Sequence, residues 1–270
     1  MREHLIDAID PCVWVSRNFV GKFLDPLEPW QVSFLNKANY YSQPVLANCA
    51  RGTGKSELAA IIAVHNILFR DDQTVLLLGP SMNQARELYR RCRRLYDKYE
   101  SDTKPHLITD SKTALELSND SRLIALPGGN EAGPRSYRCN LLILDEMAFC
   151  DRKMIEGAAI PTMSGVPGSR LICISTPNGK EGSLFFEWWE SLGGFDKVLV
   201  PATESRRITP KFLKHMQAVT RPEKFAQEFE CKFVSGAESP YFPAEIIDRC
   251  FVTFAGDAPP SPLKILKEST

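Results

Sequence analysis

Eight consecutive residues from Cys49 to Ser56 carry the groups that phosphate binding requires. The common phosphate-binding loop is G-x-x-x-x-G-K-[ST], and its last three letters are present as Gly54, Lys55 and Ser56. Backbone N–H groups at a helix N-terminus and a lysine point charge hold phosphate in such loops. Cys49 occupies the position of the first glycine. The loop still has the groups that bind phosphate, and the missing glycine narrows the protein families to which it can belong.

Two adjacent carboxylates, Asp145 and Glu146, follow the apolar run 141–144. Ligands bind at the carboxyl ends of the strands in open α/β sheets, so both acids are expected there. We expect Asp145 to hold Mg²⁺ together with the Ser56 hydroxyl, and Glu146 to polarise the water that attacks the γ-phosphate. An acidic pair after a strand can instead cap the next helix, but the phosphate-binding loop upstream favours the catalytic interpretation.

Hydroxyl groups end another apolar run, at Ser175 and Thr176 before Pro177. These hydroxyls could sense the γ-phosphate and pass its loss to the turn at 178–182. A strand-end turn whose Ser and Thr side chains satisfy the nearby backbone is the alternative.

Trp30 and Gln31 precede the phosphate-binding loop by some twenty residues. A glutamine amide can donate to and accept from the adenine edge at once, and a tryptophan offers a face for packing. Ordinary core and turn packing is the alternative for this pair.

Short apolar runs alternate with helical patterns along most of the chain, and these elements must position the residues above. Buried parallel strands separated by helices indicate an α/β fold, with a mainly parallel central sheet flanked by helices. Residues 209–231 differ, because a proline near each helix start, Pro210 and Pro222, predicts a small lid-like helical pair. The predicted strands are 45–47, 75–78, 123–126, 141–144, 171–174 and 198–200, and the predicted helices of the main body are 57–69, 82–99 and 151–160.

Composition limits the classes of function. Lysine plus arginine and aspartate plus glutamate balance at 33 each in 270 residues, so any nucleic-acid contact must be local. The sequence has no apolar run of about eighteen residues and no apolar block of a signal peptide. The eight cysteines include no C-x-x-C pair, which argues against a zinc site or a disulfide scaffold. We therefore expect a soluble intracellular protein.

Taken in order, these motifs resemble the ATPase domain of the large terminase subunit of tailed bacteriophages. The resemblance rests on Pro-Trp-Gln, Cys-Ala-Arg-Gly-Thr-Gly-Lys-Ser, Gly-Pro-Ser, Ile-Leu-Asp-Glu, Ser-Thr-Pro and Phe-Ala-Gln-Glu-Phe, over about residues 25–250. That family typically lacks the first glycine of the loop and carries an arginine within it. Here Cys49 takes the place of the glycine, and Arg51 matches the arginine. It implies a P-loop NTPase fold of the ASCE, RecA-like type. The ATP-binding residues implied by the resemblance are Trp30, Gln31, Arg51, Gly52, Thr53, Gly54, Lys55 and Ser56.

The resemblance also implies a motor that uses ATP hydrolysis to drive double-stranded DNA into a procapsid. Relatives act as a ring, usually of five subunits, at the portal vertex in the host cytoplasm, and a small terminase subunit helps to choose the DNA. Family members usually continue into an RNase H-like nuclease domain. Only about thirty-five residues follow Phe233, so we expect no nuclease activity, and Asp248 and Asp257 are poor candidates for nuclease ligands.

Three arginines are candidates to complete the site. A ring ATPase commonly takes an arginine from a neighbouring subunit, and such a finger contributes roughly 10³–10⁵ in rate. Arg51 could act within its own subunit, whereas Arg135 is the preferred finger for a neighbour and Arg138 is the second choice. Solvated loop charges, or pairing with Glu131, are the alternative for Arg135 and Arg138.

The helix predicted over 82–99 is amphipathic, with Leu88 and Cys92 among the apolar residues of one face. A basic stripe on the opposite face could follow DNA phosphates or line a subunit interface. A solvated face with salt bridges to Glu87 or Asp97 is the alternative. The stripe consists of Arg86, Arg90, Arg93 and Arg94.

The domain prediction divides the chain into four parts: an N-terminal segment over 1–24, an ATPase core over 25–205, a lid-like subdomain with a closing segment over 206–255, and a linker over 256–270. A superfamily 2 type helicase fragment is the alternative function, because such enzymes share the glutamine, loop and Asp-Glu pattern. They need a second RecA-like domain, for which 270 residues leave no room. A nucleotide-binding scaffold without chemistry is a second alternative, but the lysine, serine and both carboxylates are all present.

Overall fold

The computed structural model describes residues 2–40, 43–129, 133–180 and 182–234, with side chains from residue 5 onward. Residues up to Val234 form one compact unit. Glu131, the predicted linker over 256–270 and the aspartates at 248 and 257 lie outside the described residues. The finer division into core and lid stays a prediction.

A single mixed sheet of eight strands runs through the described residues, in the order β3-β4-β5-β2-β6-β7-β1-β8. All neighbours from β5 to β8 in that order are parallel, and the pairs β3–β4 and β4–β5 are antiparallel. The strands are β1 Val45–Cys49, β2 Thr74–Gly79, β3 Leu107–Asp110, β4 Ala114–Leu117, β5 Arg122–Pro127, β6 Leu141–Asp145, β7 Arg170–Ser175 and β8 Asp196–Val200.

Helices cover both faces of this sheet. The sixth helix is irregular, because a short α-turn passes into a π turn that contains Gly157 and then into a 3₁₀ turn that contains Pro161. The helices are α1 Arg2–Ile9, α2 Pro11–Asn18, α3 Pro29–Tyr40, α4 Lys55–Phe69, α5 Met82–Lys98, α6 Arg152–Met154 with its continuation through Ile155–Ala159 and Ile160–Met163, α7 Leu184–Glu190, α8 Pro210–Val219 and α9 Pro222–Glu230.

Side chains of the central strands alternate between two cores, one on each face of the sheet. Leu77 and Ile143 enter the larger core, against α2 to α5. Leu76 and Leu142 enter the second core, against α6 and α7. Trp14 of α2 is fully buried in the larger core, so the predicted N-terminal segment packs as part of the sheet unit.

The predicted α/β class, all six predicted strands and the helical pair after the sheet are confirmed. The hairpin of β3 and β4 and the two N-terminal helices are additions that the sequence patterns did not indicate. No helix in the described ranges has the length and apolar content to cross a bilayer.

The parallel strands bring three predicted motifs to one edge of the sheet. The phosphate-binding loop lies at the end of β1, the acidic pair at the end of β6 and the Ser-Thr-Pro segment at the end of β7. Strand β7 lies between β6 and β1. The carboxyl ends of parallel strands meet at the same edge. The fold therefore gathers these motifs into a single candidate site.

Candidate nucleotide site

The loop between β1 and α4 has the backbone of a phosphate cradle. Gly52 and Gly54 have φ values of +85° and +93°, in the left-handed region that glycine adopts without strain. The hydroxyl of Thr53 donates to the carbonyl of Ala50 at 2.9 Å and closes the loop ahead of the N-terminus of α4. Cys49 is buried within β1, so the residue in place of the first glycine packs in the core, where burial raises the pKa of its thiol.

The predicted phosphate lysine contacts the predicted catalytic carboxylate. Lys55 Nζ lies 3.0 Å from Glu146 Oε1, and the Lys55 side chain is buried. A buried ammonium needs a charged partner. The structure therefore brings the predicted phosphate-binding lysine and the predicted general base into direct contact.

The predicted metal residues also lie together. The hydroxyl of Ser56 donates to Asp145 Oδ2 at 3.0 Å. Burial raises the pKa of Asp145 to about 6, the neighbouring Glu146 adds to this, and Lys55 opposes it. Within the described part of the chain, Asp145 Oδ1 is buried without a hydrogen-bond partner. A buried, unpartnered carboxylate oxygen beside a hydroxyl is a donor set that fits Mg²⁺, which prefers oxygen ligands.

Glu146 is also held from the side of β7. Its φ of +54° turns the chain after β6. Its Oε2 accepts hydrogen bonds of 3.4 Å from the Ser175 hydroxyl, the Thr176 hydroxyl and the Thr176 N–H. Ser175 Oγ accepts from the N–H of Ala148 at 3.2 Å, so it also satisfies a nearby backbone group. The structure brings the predicted coupling hydroxyls into direct contact with the predicted catalytic group.

The helical pair contacts both the loop and the Ser-Thr-Pro segment through α9. The N–H of Arg51 donates to the carbonyl of Glu228 at 2.8 Å, and its guanidinium lies 3.8 Å from Glu228 Oε2. Gln227 Nε2 donates to the carbonyl of Pro177 at 2.6 Å. The Arg51 side chain is 76% exposed, so its charge lies toward the helical pair, whereas Lys55 is the loop cation that contacts Glu146.

The predicted base contacts lie next to the loop, together with two residues that sequence reasoning missed. Gln31 is buried with its amide 3.5 Å from the position of a Cβ on Gly54, and the guanidinium of Arg207 is closer still. Trp30 packs partly against the main core, and its indole N–H donates to the carboxylate of Glu28 at 2.7 Å. No motif marks Glu28 or Arg207, because their importance depends on segments far apart in sequence.

A pocket of about 540 Å³ lies between the tip of the loop and the helical pair. The loop contributes Arg51 and Gly52, and the helices contribute apolar side chains that include Phe212 and Phe229. An apolar pocket with a few charged groups is typical of a small-molecule site. This pocket extends the candidate site from the reaction groups toward α8 and α9.

The predicted finger arginines lie on the segment before β6. Arg135 is exposed on a 3₁₀ turn, Pro134–Ser136, and Arg138 is exposed just after it. Exposure is what a residue needs if it acts on a neighbouring subunit. Their roles stay predictions.

The four members of the basic stripe on α5 have different surroundings, and their role stays a prediction. Arg93 makes ion pairs with Asp97 and Asp110 and lies over the Tyr96 ring, so its charge is already balanced within the fold. Arg90 is 72% exposed with a long ion pair to Glu87. The two remaining members differ, since Arg94 is exposed and Arg86 is half-buried.

Comparisons with known proteins identify the family and the fold of this chain. A family model described as "Terminase large subunit, T4likevirus-type, N-terminal" matches residues 46–249. The large terminase ATPase domain of Thermus phage P74-26 is 19% identical with a TM-score of 0.63, over 77% of this chain and 94% of that one. The HK97 bacteriophage large terminase is 15% identical with a TM-score of 0.67, over 90% of this chain and 58% of that one. At these identities the two structures show a shared fold, the RecA-like P-loop fold, and the family model goes further: the chain belongs to the terminase large-subunit family and matches its N-terminal region.

Proposed function

We propose that this chain is an ATP-hydrolysing motor domain that drives double-stranded DNA into a viral procapsid. One observation supports the hydrolytic activity most directly: the pairing of Lys55 with Glu146 and of Ser56 with Asp145 across one edge of the sheet. The DNA-packaging role rests on the family of the chain. A phosphate-binding loop that merely bound nucleotide would not need a second carboxylate beside its lysine. The name of the Thermus phage relative, an ATPase domain, supports the same activity.

The Lys55–Glu146 pair indicates how binding prepares hydrolysis. Lys55 exchanges its carboxylate partner for the phosphates of the bound nucleotide, which frees Glu146 Oε1 to accept a proton from the attacking water. Glu146 Oε2 stays in its contacts with Ser175 and Thr176, so the carboxylate keeps its orientation. Mg²⁺ would be held by Ser56 and Asp145, and when bound it would neutralise charge on the β- and γ-phosphate oxygens.

The same contacts provide a route from hydrolysis to movement. Glu146 contacts Thr176, the next residue is Pro177, and the carbonyl of Pro177 is held by Gln227 of α9. A shift of the Glu146 carboxylate on loss of the γ-phosphate would therefore displace Pro177 and, through Gln227, α9. In this proposal the segment of Ser175, Thr176 and Pro177 couples the chemistry to the helical pair.

Assembly would complete the motor. We propose a homo-oligomeric ring, a pentamer, at the portal vertex of the procapsid in the host cytoplasm, with the small terminase subunit as a further partner. Arg135 is the preferred finger for a neighbouring site, with Arg138 second and Arg51 acting within its own subunit. The exposed arginines of α5, Arg90 and Arg94, are candidates for DNA phosphates.

The test is a subunit-mixing experiment in a packaging assay with procapsids and double-stranded DNA. Lys55→Ala and Arg135→Ala are each expected to abolish DNA-stimulated phosphate release, and Arg135→Ala is expected to keep nucleotide affinity. Mixing the two variants should restore part of the hydrolysis, because a Lys55→Ala subunit still offers its Arg135 to an intact neighbouring loop. No hydrolysis by the wild-type protein under these conditions would refute the proposed activity. Separation of DNA strands would indicate a helicase instead.

A further inference from the structure

An arginine outside all recognised motifs lies over the phosphate-binding loop. A Cβ placed on Gly54 would be 2.6 Å from Arg207 Nη1 and 3.2 Å from its Cζ. Gly54 has no side chain, so the guanidinium can occupy this space. The Arg207 charge therefore lies in contact with the backbone that opens α4, where a nucleotide phosphate would be bound.

Arg207 differs from the two cations of the loop itself, because its charge has no partner among the described residues. Lys55 pairs with Glu146 and Arg51 pairs with Glu228. Across the described ranges, the Arg207 guanidinium makes neither an ion pair nor a hydrogen bond. Arg207 is exposed, so this unpaired charge can meet an anion from solvent without leaving a carboxylate behind.

A buried carboxylate fixes the segment that carries Arg207. Glu28 is 5% exposed, and its Oε1 accepts from the Ser205 hydroxyl at 3.3 Å and from the N–H of Arg206 at 3.0 Å. Its Oε2 accepts from the Trp30 indole, as described above. A buried carboxylate is tolerated only when hydrogen bonds satisfy it. Glu28 therefore holds the segment entering α8 against the start of α3.

The start of α3 also places Arg207 on the same side of the loop as Gln31. The N–H of Glu28 donates to Gln31 Oε1 at 2.9 Å, so one residue orients both the predicted base contact and the Arg207 segment. The Arg207 guanidinium shares the space over Gly54 with the Gln31 amide. Lys55 and Glu146 mark the reacting end of the site, so the Arg207 position faces the part of the nucleotide that is not transferred.

We propose that Arg207 binds the α- or β-phosphate of the nucleotide within its own subunit, and that Glu28 is the residue that positions it. This inference rests on the proposed binding of nucleotide at the loop and adds a cation that no motif assigns. Because it contacts a phosphate that ADP retains, Arg207 contributes equally to binding of ATP and of ADP. A charge-assisted contact of this kind corresponds to about 10- to 100-fold in affinity.

The experiment measures dissociation constants of ADP and of a non-hydrolysable ATP analogue by titration calorimetry on the full chain. Arg207→Ala is expected to weaken both nucleotides by the same factor, about 10- to 100-fold. Arg207→Lys should recover part of the loss. Arg206→Ala is the matched control, since Arg206 contacts Glu28 only through its backbone, and its affinity should equal that of the wild type.

The positioning role of Glu28 is tested by a double-mutant cycle. Glu28→Gln should weaken ADP binding several-fold in the wild-type background and add nothing in the Arg207→Ala background. Additive losses would refute the positioning role. Circular dichroism melting checks that the variants are folded. Because Arg207 is exposed, its variants test the phosphate contact even if Glu28→Gln does not fold.

Two results would overturn the phosphate contact. One is wild-type affinity in Arg207→Ala, and the other is a loss confined to the ATP analogue. If the wild-type chain binds and hydrolyses ATP and Arg207→Ala still binds ADP normally, only this inference fails. If the wild-type chain binds no nucleotide, the proposed function itself fails.

Discussion

The two ends of the candidate site are built differently. We call the surroundings of Lys55 and Glu146 the reaction end, and the contact of Arg51 with α9 the lid end. At the reaction end, Lys55, Ser56, Asp145 and Glu146 contact one another through side chains that are largely buried. At the lid end, Arg51 is mostly exposed and its side-chain contact to Glu228 is a long one of 3.8 Å. The proposed reaction groups hold one another in place, whereas the Arg51 side chain can change its partner at little cost.

This difference indicates how the work is divided. Before nucleotide binds, separating Lys55 from Glu146 would leave a buried charge uncompensated, so the pair holds both groups in place. Exposed ion pairs contribute little to stability, so the lid contacts can form and break during a cycle. In the proposed motor, coupling would depend on the few buried contacts that join the two ends, above all the one between Gln227 and Pro177.

The largest expected effect is at the reaction end. Glu146→Gln should lower DNA-stimulated phosphate release by about 10²- to 10⁴-fold, because a glutamine cannot accept the proton of the attacking water. Nucleotide binding, measured by titration, should persist. Glu190→Gln, an exposed change on α7, is the control. Near-normal turnover in Glu146→Gln would show that the buried pairing is structural.

The second prediction concerns how the buried Asp145 carboxylate lowers the free energy of unfolding. Because burial raises the pKa of Asp145 from 3.8 to about 6, the folded state disfavours its ionised form. Its contribution to stability is present below about pH 4 and is lost as the pH rises through about 6. Asp145→Asn should therefore raise the free energy of unfolding by about 1–3 kcal/mol at about pH 8 in chelator.

Denaturant unfolding of Asp145→Asn at two pH values provides the check. The gain should shrink toward about pH 5, where the wild-type carboxyl is protonated. The same variant should lose metal-dependent hydrolysis. An equal loss of stability at both pH values would contradict the prediction and would show that the ionised carboxylate stabilises the folded state.

A smaller effect is expected at the joint between the two ends. Gln227→Ala removes a buried hydrogen bond to Pro177 and should lower turnover by about 2- to 10-fold. Hydrogen exchange over residues 222–230 should become faster, because α9 loses a contact to the sheet. The exposed Gln217→Ala on α8 is the matched control. Unchanged exchange would place the coupling elsewhere.

The smallest effect is expected on stability at the lid end. Arg51→Ala should change the free energy of unfolding by no more than about 0.5 kcal/mol, because the Arg51 guanidinium is mostly exposed and Glu228 keeps a closer partner in Lys224. Its turnover should nevertheless fall. A large loss of stability in a urea titration would remove the contrast between the two ends.

The sequence predicted the elements that carry strong patterns. Apolar runs bounded by turn residues located six strands, and the loop and acidic-pair motifs located Lys55, Ser56, Asp145 and Glu146. The β3–β4 hairpin was missed because Leu107–Asp110 carries one partly buried residue followed by exposed ones, which leaves no strand pattern. The irregular α6 was predicted as a regular helix, although its π turn and 3₁₀ turn interrupt that pattern.

Part of the site could not be predicted at all. Glu28 contacts Ser205 across 177 residues of sequence, and no periodicity or motif connects such positions. Arg93 was grouped with the other arginines of its helix face as a DNA or interface contact, with a salt bridge to Asp97 as one alternative. The structure adds an ion pair between Arg93 and Asp110 of β3, the strand that the pattern did not reveal. A contact to a strand that was not predicted could not be predicted either.

The edge strand β3 also bears on how copies of this protein can join. It has four residues, its register shifts between Leu107 and Thr109, and Asp110 at its end carries charge. Short, irregular and charged edges resist the addition of another strand. Neighbouring subunits are therefore not expected to extend this sheet from β3 into a continuous one, and a ring would be joined on that side through loops and helix faces, which can slide or tilt without breaking a backbone ladder.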